Sequence, residues 1–320
     1  MTHSIKLVPL LLLAAAAFAQ TSATSNAEIH VLPVQGNVYM LVGAGGNITV
    51  QVGSQGVLLV DSGLASMSDK VLAAVRKLSD KPIRYLLNTH VHPDHIGGNE
   101  AVAKTGVAST GLPVQGTPGS SASQLVQILA HENVLNRMSA AKIPGVAWPT
   151  DTFFNDEKEV YFNGEGVQMF HPSSAAHTDG DSIVYFRRSD VIAAGDLFVT
   201  TSYPLIDMTR GGNVQGLIDG LNLILDLAIP AHQQEGGTYI VPGHGRLCDE
   251  ADVLEYRDMV TIVRDRIRDA MKRGMTVEQI KASRMTRDYD ARYGSAAGAT
   301  DTFVEAVYKS LATKATGSKK

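Results

Sequence analysis

One stretch of this 320-residue chain is dense in groups that hold metals: Thr89-His90-Val91-His92-Pro93-Asp94-His95-Ile96-Gly97-Gly98, directly after an apolar run. On a strand, side chains two apart share a face, so His90 and His92 are expected to point the same way and grip one ion. Pro93 ends strand pairing, and the turn carries Asp94 and His95 towards a second position. Imidazole and carboxylate donors favour Zn²⁺, with Mn and Fe sharing much of the ligand set. An ion that keeps a place for water needs about three protein ligands, so further donors must come from elsewhere. Three stand where strands are expected to end: His177 in Ala176-His177-Thr178-Asp179-Gly180, Asp196 in Ala194-Gly195-Asp196-Leu197-Phe198, and His244 in Pro242-Gly243-His244-Gly245.

The elements that must deliver these residues are legible as hydrophobic periodicity. Short strand patterns cover 29–34, 38–42, 48–52 and 57–60, separated by Gly and Asn turn signals. A helix is expected over 66–78, with Val71, Leu72, Val75 and Leu78 at helical spacing, followed by a strand over 83–89. A looser Gly-, Pro- and Ser-rich middle from Gly111 leads into a helical pattern over 122–141, broken by Ile143-Pro144-Gly145 and read as an insertion over one face. Strand rhythm resumes from Val160, with strands over 167–170, 183–186, 191–194 and 238–241 and a helix over 214–227. The second half thus roughly repeats the first, and two strand-rich halves with covering helices predict an α/β fold, a four-layer αβ/βα sandwich.

Three segments complete the layout. Residues 1–19 read as a secretory signal: Lys6, an apolar run from Leu7 to Phe18, and Ala17-Phe18-Ala19 as a cleavage site. The run is roughly 12 residues against the roughly 20 a membrane span needs, so a periplasmic or secreted protein with no membrane attachment is expected. Residues 20–247 form the main domain, and 248–320 a C-terminal helical extension packed on it, with Val253, Tyr256, Met259, Val260, Val263 and Ile267 as its apolar stripe. A last helix is expected near 302–311, before a frayed Lys-rich end.

Composition narrows the partners. Apolar residues make up 44% and charged residues 19%, enough for a large core and too ordered a composition for disorder. Acidic side chains outnumber basic ones by 32 to 28, so the charge needed to neutralise nucleic-acid phosphates is missing. A single cysteine, Cys248, excludes an intramolecular disulfide even in an oxidising compartment.

The ordered set H-x-H-x-D-H, then His, Asp and His, resembles the metallo-β-lactamase superfamily, over about Val31 to Gly245. The resemblance implies one zinc on His90, His92 and His177, a second on Asp94, His95 and His244, and Asp196 bridging them. Asp61, in Leu59-Val60-Asp61-Ser62-Gly63, matches the family's early Asp and would support a ligand from behind. The implied chemistry is hydrolysis: a bridging hydroxide, oriented by Asp94, attacks a polarised carbonyl without a covalent intermediate.

Within the family the substrate is open. Many class B β-lactamases carry Cys where Asp196 stands, and the best-known subclass places Lys where this chain has Val199. A small cyclic amide, ester or lactone is the expected substrate. A glyoxalase II-like thioesterase, a phosphodiesterase, and a noncatalytic binding protein stabilised by metal are the alternatives. His30, His131, His171 and His232 lack ligand spacing and are expected to be structural, as is the Cys248 thiol. Gly211-Gly212-Asn213 reads as a turn with Asn213 capping the following helix. Tyr161 and Tyr203 are expected to pack, although either phenol could reach a substrate carbonyl.

Overall fold

The computed structural model describes residues 27–106 and 125–317. The expected signal, the polar stretch at 21–26, the Gly- and Ser-rich part of the middle and the last three residues lie outside them.

Seven strands form the first sheet in sequence order: β1 (His30–Gln35), β2 (Val38–Val42), β3 (Ile48–Gly53), β4 (Gly56–Val60), β5 (Ile83–Leu87), β6 (Gln127–His131) and β7 (Asp151–Phe153). Pairing is antiparallel through β4 and parallel from β4 to β7. The second sheet runs in the order β12 (Tyr239–His244), β11 (Val191–Val199), β10 (Ile183–Phe186), β9 (Glu165–Phe170), β8 (Glu157–Phe162), with only β11 and β12 parallel.

Alternation along the strands builds the layers. In β4, Leu58 and Val60 face inward, against Val167, Met169, Val184 and Phe186 of the second sheet. Val57 and Leu59 face outward, where helix α1 (Ser68–Leu78) covers them with Val71, Ala74 and Val75. Because both faces of β4 are covered, all five of its residues are buried and its sequence is a continuous apolar run. The outer face of the second sheet, Ile183, Ile192, Ala194 and Ile240, is covered from the far side by the later helices. This is the expected four-layer sandwich.

Within the first half, α2 (Pro93–Ile96) and α3 (Asn99–Thr105) lie between β5 and β6 and α4 (Glu132–Ala140) between β6 and β7, and after β11 comes α5 (Val214–Leu227). Asn213 caps α5 as expected, its side chain accepting from the amides of Gln215 and Gly216. The C-terminal helices are α6 (Glu250–Lys272), α7 (Val277–Ala282), α8 (Asp290–Tyr293) and α9 (Ala299–Gly317). Asp249 and Asp252 form a capping box that starts α6. Its expected stripe is buried in one cluster with Leu217 and Leu221 of α5 and Phe303 of α9. Among the described residues no helix is long and apolar enough to cross a membrane.

Several expectations change. The helix expected over 122–141 is a strand followed by a helix: β6 pairs parallel with β5, and only Glu132–Ala140 is helical. Its run Ile128-Leu129-Ala130 is buried on both faces, and such a short run has no period that separates helix from strand. The strand through Thr89 stops at Leu87, whereas β11 and β12 run past their expected ends and include Asp196 and His244.

Candidate metal centre

All seven expected donors converge at one edge of the two sheets. The ligand atoms of His90, His92, His177 and Asp196 lie within 4.8 Å of one another, as do those of Asp94, His95 and His244. His92 Nδ1 is 3.1 Å from His90 Nε2 and 2.9 Å from His177 Nε2. Asp196 divides its oxygens between the groups. Its Oδ2 lies 3.9 Å from His90 Nε2 and 3.7 Å from His177 Nε2, while Oδ1 lies 3.1 Å from His95 Nε2 and 3.5 Å from His244 Nε2. Asp94 Oδ2 is 3.1 Å from His244 Nε2.

Local chain geometry explains the convergence. His90 and His92 are not on a strand, so their shared direction does not come from strand alternation. Asp61, at the end of β4, accepts from the Thr89 amide at 2.8 Å and its hydroxyl at 2.6 Å, which removes Thr89 from the sheet ladder and sets the loop that follows. The same Asp61 Oδ2 accepts from His95 Nδ1 at 2.8 Å, so His95 turns Nε2 to the centre. Asp61 has φ 65, a left-handed conformation that Asp adopts more readily than most residues. His177 is held by its Nδ1, which donates to the Leu205 carbonyl at 2.7 Å. Pro93 at the start of α2 turns the chain towards Asp94 and His95.

Two glycines leave room for these side chains. A Cβ on Gly46 would come within 2.6 Å of His95 Nε2, and one on Gly243 would overlap Asp196 Oδ1. Gly46→Ala is therefore expected to push the His95 ring aside and weaken metal binding by the Asp94, His95 and His244 group at least ~10-fold, the lower end of the loss when a ligand's outer partner is removed. Metal content after dialysis, with circular dichroism as the control for folding, checks this.

The electrostatics suit a cation. Burial, with His95 nearby, holds His90 well below the usual imidazole range, and burial pushes His177 down to about 4, so both are neutral bases at pH 7. His95 and His244 behave oppositely. Burial acts against their charge, but Asp196 and Asp61 raise His95 well above its usual value, and Asp196 and Asp94 lift His244 to about 9. Burial would raise Asp196, yet His95 and His244 hold it well below the usual carboxylate range. Without a cation, protons on His95 and His244 balance the two carboxylates. A metal that takes their place must release those protons.

Zinc fits these donors on two observations. Among the described residues, His95 Nε2 and Asp196 Oδ1 are buried without a hydrogen-bond partner although they stand 3.1 Å apart. Donors of a tetrahedral zinc stand about 3.3 Å apart, close to the spacing of the three imidazoles. Access is from one side: the Asp94 and His244 side chains are 29% and 30% exposed, whereas those of His90, His95 and His177 are 1% or less.

Sequence reading missed Asp207, whose Oδ2 lies 2.9 Å from His92 Nε2. The available signal was Asp207-Met208-Thr209-Arg210-Gly211, an Asp opening a turn that closes on Gly. The remaining candidates stay outside the centre. His171 stacks on His131 with centroids 3.8 Å apart and donates to the Asp181 carbonyl. Tyr203 is buried and donates to the Thr286 carbonyl and the Asp290 carboxylate. Tyr161 is 72% exposed on β8, so it does not pack as expected. The buried Cys248 thiol donates to the Arg246 carbonyl.

The chain is similar to several known proteins. It is 26% identical over 268 residues to a linear primary-alkylsulfatase of Pseudomonas sp. (strain ATCC 19151), covering 71% of this chain and 47% of that protein. It is 24% identical over 208 residues to a probable metallo-hydrolase of Streptococcus pyogenes serotype M6, covering 63% and 80%. Among solved structures, the stereoselective inverting sec-alkylsulfatase Pisa1 from Pseudomonas sp. superposes with a TM-score of 0.67 at 16% identity, over 88% of this chain and 50% of that one. The DIM-1 metallo-beta-lactamase superposes at 0.55 and 16%, over 73% and 97%. The chain thus spans about half the length of the alkylsulfatases it matches. The model of the metallo-beta-lactamase superfamily matches residues 33–244, about two thirds of the chain, and the chain belongs to that superfamily.

Proposed function

We infer that the protein is an exported dinuclear zinc hydrolase that opens a small ester, lactone or cyclic amide. The observation that carries this reading is Asp196, which turns one oxygen to each of two donor groups and so fits a pair of ions held side by side. His90, His92 and His177 would hold one ion, and Asp94, His95 and His244 the other. Zinc bound there would supply a Lewis acid and lower the pKa of bound water to about 7. The chain's own contribution is orientation and proton handling. Asp94, the most exposed carboxylate of the centre, would accept a hydrogen bond from the water and orient it. Seven donors shared by two ions leave positions open to solvent, which favours catalysis over a purely structural metal. Export rests on the signal pattern at 1–19.

A second reading, hydrolysis of an alkyl sulfate ester, draws support from the 26% identity to a linear primary-alkylsulfatase. One experiment separates the readings. Metal-quantified protein is assayed on nitrocefin, lactones, aryl esters, an alkyl sulfate and bis-p-nitrophenyl phosphate, before and after chelation and Zn²⁺ return. Hydrolysis of a carbonyl substrate that chelator removes and zinc restores is expected, with serine reagents without effect. Turnover of the sulfate alone would favour the second reading, and no hydrolysis of any substrate would sink both.

A further inference from the structure

Each donor group of the centre has a carboxylate behind it, and the two carboxylates come from different parts of the fold. Behind His95 stands Asp61, fixed at the end of β4. Behind His92 stands Asp207, whose side chain is only 11% exposed although it sits in the long connection between β11 and α5. Asp207 is itself held in place: Oδ1 accepts from the Thr209 amide at 3.0 Å and hydroxyl at 2.5 Å, and Oδ2 also accepts from Arg210 Nη1 at 2.6 Å. The same short segment grips His177. The Leu205 carbonyl accepts a hydrogen bond from His177 Nδ1, and the Asp207 amide donates to the His177 carbonyl at 2.9 Å.

An acceptor on the far nitrogen of an imidazole keeps the proton there, leaves the near nitrogen's lone pair free, and raises its basicity towards a metal. We propose that Asp207 is the positioning residue of the His90, His92 and His177 group and serves that group alone, whereas Asp61 backs His95 directly and His90 through the Thr89 hydroxyl, which lies 3.0 Å from His90 Nδ1. The inference rests on the two-metal reading above. It adds that occupancy of the two positions can be lost one at a time.

The test compares wild type with Asp207→Ala, Asp207→Asn, Asp61→Asn and Thr209→Val, dialysed against graded chelator and then measured for metal content, with the Co²⁺-loaded forms followed by visible absorption. In Asp207→Ala one metal equivalent is expected to leave at ~10–100-fold lower chelator than in wild type, while the other is retained. Asp61→Asn, which disturbs His95 directly and His90 through Thr89, is expected to weaken both equivalents, so selective loss of one is the signature of Asp207. Asp207→Asn, which keeps an acceptor oxygen and the turn, falls between wild type and Asp207→Ala. Thr209→Val, which loosens the turn without touching His92, keeps both ions. The proposal is overturned if Asp207→Ala holds both ions as wild type does, loses both in parallel, or is matched by Thr209→Val. Should Asp207→Ala fail to fold, Asp207→Asn decides by the same comparison. Wild type that binds no metal would instead overturn the function itself.

Discussion

Asp196→Ala is expected to remove hydrolysis almost entirely while leaving the fold intact. Outer partners of metal ligands are typically worth roughly 10–100-fold, and Asp196 faces both donor groups directly, so the loss should exceed about 100-fold. Metal content should fall for both ions, because the variant removes the only carboxylate among the described residues whose two oxygens reach both groups. His92→Ala makes the instructive contrast. It is also expected to abolish turnover, yet to keep the ion held by Asp94, His95 and His244. Unchanged circular dichroism with two ions retained in Asp196→Ala would refute the bridging role.

The largest effect on stability is expected in the core behind the metal centre. Tyr256 on α6 is fully buried, with edge contacts to Phe198 on β11 at 5.3 Å and to Tyr293 on α8 at 5.5 Å. Tyr256→Ala should lose about 3–5 kcal/mol, the range for emptying a large aromatic site in a packed interior. Because Phe198 lies two residues beyond Asp196 on the same strand, the cavity should also loosen the metal centre, seen as faster metal loss to chelator. Tyr256→Phe should behave oppositely. The hydroxyl is buried and has no hydrogen-bond partner among the described residues, so its removal is expected to leave stability unchanged or raise it by about 1 kcal/mol. Urea denaturation of metal-loaded protein checks both, and a marked loss in Tyr256→Phe would reveal a partner for the hydroxyl.

How far a residue could be read in advance depended on whether its meaning was local. His90, His92, Asp94 and His95 announce themselves because four donors in six residues have few other uses. The strands β2 to β5 and the stripe of α6 were legible because period two and period 3.6 are properties of neighbouring residues. The run around Ile128 was not, since burial on both faces erases the period and only parallel pairing with β5 makes it a strand.

Asp207 shows the other limit. It lies 115 positions from the imidazole it contacts, and no spacing rule reaches that far. The sequence by itself determined the donor chemistry, the layered α/β class and most of the element order, all of which follow from residue type and short-range pattern. Only the tertiary structure decided how Asp196 divides its oxygens, which ring nitrogen each histidine turns inward, and which carboxylates stand behind them. Those outcomes depend on where distant strand ends and loops meet, which chain closure and packing settle together.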